Sequence, residues 1–518
     1  MATACDVFAA TPYNFIELLC DSIARRELRR DTWSAYEIHH ASTCSYRLAC
    51  ALSRASKDWH AAVRLYRSSL RTLVVKDLDD AGLDVIAKHC PKLRKFSFDC
   101  SAKAPGERDR HFSDAAVLAF FTACPLLESA LLGSSFGSLA ARTMLLLSRS
   151  LSCVTELDLS GMRDRHPSGE KKDNVTCKLT ATSVSSFLTG CGQLNKLCLD
   201  GLPCITDELV WCIEPLHPSL CVLHLHHVPI SDASLQSRDW PHLKELSLSS
   251  TDGSLTSSCF TGAYFPSLVA LDIEVDVRGD RLTPLVAACP CLLGLRIGGG
   301  ANNEASSLSD LVLPLLEMLD LSQNSSWAPQ AYDGLSAANL PCLVSLSLNG
   351  GDIEPAVTSR TVQSIALHCP QLTELDCGYL DVIDDAAVQA VARHCLGLKS
   401  LVINFSSVTD AALLACTGLS DLSFLDLSHV RGVTDAGLRT VAEACPQLWS
   451  LGHMVEDVFE PNGGYDPEDE AAFTLDGYRA VWNDVLSGRA MGHNGDVTTQ
   501  HLVFRKCAIM GYIVHSFV

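Results

Sequence analysis

The chain has 518 residues, of which 47% are hydrophobic, and its 60 acidic and 40 basic side chains give a formal net charge of −20. The hydrophobic content favours a folded core over disorder, and the acidic balance argues against nucleic acid and anionic membrane surfaces as partners. No run of 18 or more uncharged apolar residues predicts a membrane span, and no basic segment followed by an apolar one predicts a secretory signal. We therefore expect a cytoplasmic or nuclear protein.

The first 69 residues lie before a repeated pattern and are distinct from it. Apolar side chains cluster over residues 12–19 and at Ile23, and a second apolar stretch over residues 48–59 ends at Trp59. The segment between them, residues 25–43, holds four arginines. We treat residues 1–69 as a separate small helical module.

A leucine-rich pattern recurs about fifteen times between Leu70 and Leu451. The unit reads Leu-x-x-Leu-x-Leu with conservative exchanges, and the steps from Leu194 to Leu448 have a period of about 25 residues, typical of a leucine-rich-repeat solenoid. The named apolar positions point to one face of a strand, and the residue between the last two points to the other. The sequence thus predicts a parallel sheet with one buried side over residues 70–453.

The second half of each repeat predicts a helix, and residues 433–446 are a typical example. Thr434 before Asp435 is an N-cap followed by a carboxylate in the first helical turn. Apolar residues then follow at helical spacing, as at Leu438 and Val441. Because strands stack more closely than helices, we expect a right-handed α/β solenoid with strands on its concave face and helices on its convex face. The helices are predicted to end where proline follows cysteine, at Cys90-Pro91, Cys124-Pro125, Cys289-Pro290, Cys369-Pro370 and Cys445-Pro446.

The sequence holds 24 cysteines, and many of them lie at the predicted helix ends. A small thiol packs well in a core, and the absence of any Cys-x-x-Cys pair argues against a structural zinc site. We expect reduced, buried cysteines in an intracellular protein rather than disulfides.

The repeats resemble the cysteine-containing leucine-rich repeats of the F-box/leucine-rich-repeat family. Residues 433–448 read Val-Thr-Asp-x-Gly-Leu-x-x-Val-Ala-x-x-Cys-Pro-x-Leu, and the likeness covers roughly residues 70–453. Residues 12–23 and 48–59 are similar to the first and last parts of an F-box, a module that lies directly before such repeats. The resemblance implies the substrate-recognition subunit of an SCF-type cullin ubiquitin ligase, which would bind a Skp-type adaptor through Pro12, Phe15, Ile16, Leu18, Leu19, Ile23 and Trp59.

Two departures from an F-box leave another interpretation open. The usual Leu-Pro opening is Thr11-Pro12 here, and residues 25–43 would have to be an insertion. A helical N-terminal cap that covers the first repeat is the alternative for residues 1–69. In that case the protein is a leucine-rich-repeat scaffold or regulator with no link to a ubiquitin ligase.

Two long steps interrupt the repeats, and a tail follows them. The surplus residues are 101–111 and 162–178, and the second set is locally basic. Each is either a loop at a binding rim or a tolerated insertion. Residues 454–518 follow the last repeat and are predicted to form a C-terminal cap or tail.

The outward-pointing strand residues form the expected substrate-binding face. Most are acidic, with a local break at two histidines and one arginine, so a protein substrate with a basic segment is the expected ligand. The other interpretation is that aspartate between leucines is simply common in such repeats and is solvated. The candidate residues are Glu156, Asp158, His224, His226, Asp272, Glu274, Arg296, Asp320, Glu374, Asp376 and Asp426, with Cys198 and Asp200 among their neighbours.

The repeats point to binding rather than to catalysis. The chain has no Gly-x-x-x-x-Gly-Lys-Ser/Thr phosphate loop, and we expect a non-enzymatic protein without cofactors. His224 and His226 share a strand face and allow a weak two-ligand metal site. Because spacing identifies no third ligand, we expect no metal.

Overall fold

A computed structural model gives the fold of most of the repeats. The N-terminal module at residues 1–69, the insertions at 101–111 and 162–178 and the tail at 454–518 lie outside the described residues. The chain falls into two structural units: the first extends to Leu235 and includes Ser249–Thr251, and the second comprises Gln236–Leu248 and the chain from residue 252 onward. The described residues are 70–76, 80–99, 112–131, 139–160, 179–251, 253–275, 282–299, 308–322, 324, 331–332, 335, 339–350, 357–448 and 450–452.

In the first unit, parallel strands alternate with helices, and each strand is hydrogen-bonded to the next in chain order. The strands are β1 (Thr72–Lys76), β2 (Lys95–Asp99), β3 (Ser129–Leu131), β4 (Glu156–Asp158), β5 (Lys196–Cys198) and β6 (Val222–Val228). The helices are α1 (Asp80–His89), α2 (Asp114–Ala123), α3 (Ala141–Leu147), α4 (Ala181–Leu188) and α5 (Asp207–Leu216), and short 3-10 turns lie at Ser148–Ser150 and Asp232–Ser234.

The second unit also has parallel strands, and those from β8 to β15 are paired in chain order. The sequence predicts a helix in each repeat, but among the described residues no helix lies between β9 and β10 or between β10 and β11. Among the helices that are described, none has the length and apolar composition that crossing a bilayer requires. The strands are β7 (Glu245–Ser250, whose last two residues belong to the first unit), β8 (Ala270–Val275), β9 (Gly294–Gly299), β10 (Met318–Asp320), β11 (Ser345–Ser347), β12 (Glu374–Asp376), β13 (Ser400–Val402), β14 (Phe424–Asp426) and β15 (Ser450–Gly452). The helices are α6 (Thr283–Ala288), α7 (Ser359–His368), α8 (Asp385–His394), α9 (Asp410–Cys416) and α10 (Asp435–Ala444), with a 3-10 turn at Ser257–Phe260.

A buried leucine at the centre of most strands sets their register. Leu295 pairs with Leu319 and Leu375 pairs with Leu401, and each of the four is at most 2% exposed. Burial of a leucine side chain contributes about 1.5–3 kcal/mol, and a slip of one residue would turn every such leucine outward. The predicted fold class, an α/β leucine-rich-repeat solenoid of parallel strands and alternating helices, is confirmed.

The helix ends confirm the packing role that the sequence predicts for cysteine. Cys445 is the C-cap of α10 and is fully buried. Its Sγ lies 3.5 Å from the carbonyl oxygen of Cys416 in the preceding repeat. The Sγ of Cys395 likewise lies 3.6 Å from the carbonyl oxygen of Cys369. Burial raises the pKa of Cys395 to about 12, so the thiol stays protonated. All the described cysteines are free thiols.

A carboxylate from one helix holds the start of the next. Asp410, the first residue of α9, accepts hydrogen bonds from the N–H of Thr434 at 2.7 Å and from its hydroxyl at 2.6 Å. Asp385 binds Thr409 in the same way, with both bonds at 2.7 Å. Gly437 leaves room for this contact, because a Cβ there would lie 2.2 Å from Asp410 Oδ1. The aspartate of the Thr-Asp pair therefore links neighbouring repeats, in addition to favouring its own helix N-terminus.

Replacing Asp410 with alanine removes both bonds to Thr434, the N-cap of α10. We expect the free energy of unfolding to fall by about 1–3 kcal/mol, because a charged acceptor is withdrawn from two donors. The amides of Asp435–Ala444 should also exchange faster with solvent. Urea unfolding and hydrogen exchange read by mass spectrometry measure the two effects. The control is Asp421→Ala, which removes an exposed carboxylate in the turn before β14, and equal effects of the two substitutions would contradict the link.

Candidate functional site

The strand face is the side of each sheet opposite the buried leucines, and the predicted binding residues lie on it in rows. Glu156, His226, Glu274 and Glu374 lie two positions from a row residue of their own strand, and therefore on the same face. Residues of equal register form one row in each unit. The row of the first unit is Asp158, Cys198 and His224, and the row of the second unit is Asp272, Arg296, Asp320, Ser347, Asp376, Val402 and Asp426.

Arg296 is surrounded by carboxylates of its own row and of the neighbouring position. Its guanidinium lies 2.8 Å from Asp272 Oδ1, and 3.6 Å from both Glu274 Oε1 and Asp320 Oδ2. Burial works against the charged guanidinium, but the three carboxylates outweigh burial, so the pKa of Arg296 is raised. The cation that interrupts the acidic face is thus already neutralised by its neighbours.

Most aspartates of the rows also hold the backbone where a strand ends. The carboxylate accepts the N–H of the residue two positions on, at 2.8 Å for Asp158, Asp320 and Asp376 and at 3.0 Å for Asp426. This hydrogen bond forms an Asx turn. The interpretation that these aspartates are structural therefore has a physical basis, and acidity alone does not identify a binding site.

Asp376 lies in an environment that disfavours its charge. Burial raises its pKa to about 6, against hydrogen bonds from the Gly378 N–H, the Asn349 side chain and the Ser347 hydroxyl. The nearby charge of Asp320 adds to the rise. A cation placed beside Asp376 would favour the ionised form and would itself be stabilised.

Three stacked aromatic side chains stand at the strand ends beside these acids, and we call them the aromatic ladder. Tyr379, Phe405 and His429 each lie three positions after the last residue of β12, β13 and β14. The ring centroids of Tyr379 and Phe405 are 4.6 Å apart and those of Phe405 and His429 4.2 Å, with the planes 18° and 19° from parallel. Asn404 joins the ladder to the acids, because it accepts the Tyr379 N–H at 3.1 Å and donates to Asp426 at 3.1 Å.

The ladder residues adopt a left-handed backbone, with φ of 58° at Tyr379, 56° at Phe405 and 61° at His429. This conformation costs a residue other than glycine about 1–2 kcal/mol, whereas a stacked aromatic pair returns about 0.5–1.5 kcal/mol. Strained bulky residues of this kind concentrate at functional sites. Sequence reasoning missed the ladder, although an aromatic residue three positions after the strand recurs in three successive repeats.

In the first unit the strand face brings together a thiol, a carboxylate and an imidazole. One ligand atom from each of Cys198, Asp200 and His224 lies within 4.8 Å of the other two. His226, which the sequence pairs with His224, is only 9% exposed, and its N–H donates to Asp200 Oδ1 at 2.7 Å. Spacing along one strand does not reveal this cluster, because its members belong to two different repeats.

One match to the Gly-x-Ser-x-Gly pattern occurs at residues 133–137. It follows β3 and lies outside the described residues. Such a serine requires a histidine and an acid in a defined geometry before it acts as a nucleophile, so the pattern alone assigns no activity.

No protein-family profile and no curated protein sequence matches the chain. The fold is similar to solved structures at low sequence identity, and this likeness assigns no function. A chain in the crystal structure of the Rad7 and Elc1 complex in yeast has 17% identity and a TM-score of 0.45, over 85% of this chain and 93% of that chain. An internalin from Listeria monocytogenes has 15% identity and a TM-score of 0.37, over 78% and 93%. A leucine-rich-repeat protein of Leptospira interrogans has 13% identity and a TM-score of 0.35, over 77% and 80%.

Replacing Asp376 with asparagine should stabilise the protein at neutral pH. The folded-state pKa of about 6 exceeds the ordinary value of 3.8, so the folded state holds more protons between these values and its stability falls as pH rises through them. Asparagine removes this penalty and keeps an oxygen that accepts the Gly378 N–H. We expect a gain of about 1–3 kcal/mol at pH 7.5 and a smaller one near pH 4. Urea unfolding at both pH values measures the difference, and a gain independent of pH, or one matched by Asp421→Asn, would contradict the assignment.

Proposed function

We propose that this protein is a non-enzymatic interaction module whose second-unit strand face binds a basic segment of a partner protein. The observation that carries the proposal is the contact between the aromatic ladder and the acidic row, made through Asn404. An arginine guanidinium stacks on aromatic faces and also pairs with carboxylates. The chemistry of the site therefore fits arginine better than lysine.

The charges of the second unit support a cationic ligand. Arg296 is the one basic residue among the predicted face residues of this unit, and three carboxylates already hold it. The ion pairs among the predicted face residues of this unit are those of Arg296, and Glu374 accepts a hydrogen bond from the Ser345 hydroxyl at 2.9 Å. Asp376 and Asp426 likewise accept from neutral donors. A partner cation would thus meet carboxylates that no basic side chain in the described ranges neutralises.

The larger assembly that we propose is an SCF-type cullin ubiquitin ligase, in which this chain selects the substrate. The support comes from residues 12–23 and 48–59, which resemble an F-box and lie directly before the repeats. Other subunits would carry out ubiquitin transfer, in the cytoplasm or nucleus, and this chain would need no catalytic residue. The alternative is a leucine-rich-repeat scaffold in which residues 1–69 only cap the array. It has the same binding face and no Skp-type adaptor.

The adaptor distinguishes the two assemblies. We expect the purified full chain to bind a Skp-type adaptor and the double variant Leu18→Ala, Leu19→Ala to lose that binding, because such an interface needs an apolar centre. Thermal unfolding of the repeats should remain unchanged. Calorimetric titration with adaptor and thermal unfolding provide the two measurements.

The matched control is the double variant Leu145→Ala, Leu146→Ala, which changes two adjacent leucines of α3 that are 51% and 38% exposed. It should bind adaptor normally. If residues 1–69 are a cap, each buried leucine lost costs about 2–5 kcal/mol and unfolding occurs earlier. Earlier unfolding, together with a parent chain that binds no adaptor, would favour the scaffold.

The ladder is tested with an arginine-rich peptide. The double variant Asp376→Asn, Asp426→Asn should weaken peptide binding at least tenfold, because it removes both carboxylates and keeps the Asx turns.

Replacing Tyr379, Phe405 and His429 together with asparagine should abolish binding of the same peptide. Asparagine tolerates the left-handed conformation, so relief of strain should offset the lost stacking and leave the unfolding midpoint nearly unchanged. Fluorescence anisotropy of a labelled peptide measures affinity.

The charge-matched control is Asp421→Asn with Glu443→Gln, two exposed acids outside the rows. It should bind the peptide as the parent chain does at physiological ionic strength, where distant surface charges are screened. Equal weakening in the control would mean that net charge, rather than the ladder, attracts the peptide. Equal affinity for a lysine-rich peptide would remove the stacking part of the proposal.

A further inference from the structure

The cluster of thiol, carboxylate and imidazole in the first unit has the composition of a metal site. We propose that Cys198, Asp200 and His224 bind one zinc ion, with a water molecule in the fourth position. Three protein ligands and one water is a common arrangement for zinc that is open to solvent or to a further ligand. The proposal is independent of the partner assigned to the second unit.

The fold places the three ligand atoms at nearly the required separation. Zinc bonds of about 2.3 Å to sulfur and about 2.0–2.2 Å to nitrogen or oxygen put tetrahedral ligand atoms roughly 3.3–3.7 Å apart. Cys198 and His224 are register partners on β5 and β6, and Asp200 lies two residues after Cys198. Their ligand atoms already lie within 4.8 Å of one another, so small side-chain rotations complete the site.

The surroundings orient two of the ligands. The Oγ of Ser160 lies 3.0 Å from Cys198 Sγ, and the N–H of Asp200 also donates to that sulfur. Asp200 Oδ1 accepts the N–H of His226 at 2.7 Å. Hydrogen bonds of this kind fix the orientation of metal ligands.

The electrostatics of the cluster favour a divalent cation over a reactive cysteine. Burial, together with the charges of Asp158 and Asp200, raises the pKa of Cys198 well above its ordinary value. A nucleophilic cysteine needs the opposite shift. A divalent ion would offset both carboxylates and bind the thiolate, with the thiol proton released to solvent.

The donor set favours zinc over magnesium and calcium. Magnesium and calcium prefer oxygen ligands throughout, whereas sulfur and imidazole nitrogen suit zinc. Cys198 is 7% exposed and Asp200 2% exposed, while His224 is partly open to solvent. The imidazole therefore stands at the side from which an ion would enter.

The test titrates the reduced, metal-depleted full chain with Co²⁺, which reports a thiolate ligand by a charge-transfer band in the near ultraviolet. We expect one Co²⁺ per chain, displaced by Zn²⁺. The variants Cys198→Ser, Asp200→Asn and His224→Gln should each lower the affinity at least tenfold. The controls Cys212→Ser and His242→Gln change an exposed cysteine and an exposed histidine, and both should retain the band.

A variant of the buried residues Cys198 or Asp200 could fail to fold, whereas His224 is partly exposed and can be replaced with less effect on folding. The His224→Gln variant therefore tests the site by itself. Loss of the band in His224→Gln, with an unchanged far-ultraviolet circular dichroism spectrum and a normal band in both controls, supports the site. The proposal is overturned if the parent chain gives no band at micromolar Co²⁺. It is also overturned if His224→Gln binds as tightly as the parent, or if Cys212→Ser loses the band, because the ion would then lie elsewhere.

Discussion

The functional features depend on one constraint, the pairing of a buried apolar residue of each strand with its counterpart in the next repeat. This residue is leucine in all the described strands except β2 and β3, which have Phe96 and Ala130. The pairing fixes which residues face outward and brings equal positions of successive repeats to one strand spacing, about 4.8 Å. The rings of Tyr379, Phe405 and His429 stack at 4.6 and 4.2 Å because their repeats have this spacing. The same register places Cys198 beside His224. Neighbours on the strand face are thus set by the core behind it.

This register also brings like charges together, and the fold offsets the repulsion locally. Arg296 pairs with the carboxylates beside it, and Asp376 and Asp426 accept hydrogen bonds from backbone N–H groups at the strand ends. On the helical side, Asp410 uses its carboxylate to join two repeats through Thr434. Aspartate therefore serves two structural purposes in the repeats, which accounts for these acids without reference to a ligand. A binding surface is therefore indicated by the side chains that accompany the acids and not by the acids alone.

Features carried by a local pattern could be predicted from the sequence. The leucine period predicts the strands, and the Cys-Pro pairs predict the helix ends, as at Cys445. Features that join different repeats could not, because they depend on the register between strands and not on spacing along the chain. The Asp410 link and the group around Cys198 are of this second kind. The aromatic ladder also joins different repeats, but its recurrence at one position of three successive repeats is a signal that the sequence carries. The strand-face residues could be named in advance, whereas their partners could not.

One helix end has a histidine where the repeat pattern has cysteine. At the end of α5 the residue before proline is His217, where other repeats have cysteine, and it is 2% exposed. Burial lowers the pKa of His217, with the main-chain carbonyl of Cys191 acting in the opposite sense. A neutral imidazole can occupy the place of a thiol, but below its ordinary pKa of about 6.5 the unfolded chain takes up a proton that the folded chain resists. This repeat therefore loses stability on acidification where a cysteine would not.

The aromatic ladder lowers the stability of the fold through backbone strain, but its rings offer a surface to a ligand. In the first unit, Gly201 holds the equivalent left-handed position, at φ 68°, with little strain. Tyr379, Phe405 and His429 bear that strain in three successive repeats, and stacking returns only part of it. A row of glycines would give a more stable edge without any surface for a ligand. The acids beside the ladder follow from strand geometry, but the strained aromatic residues do not, and for that reason they are the stronger indication of a binding surface.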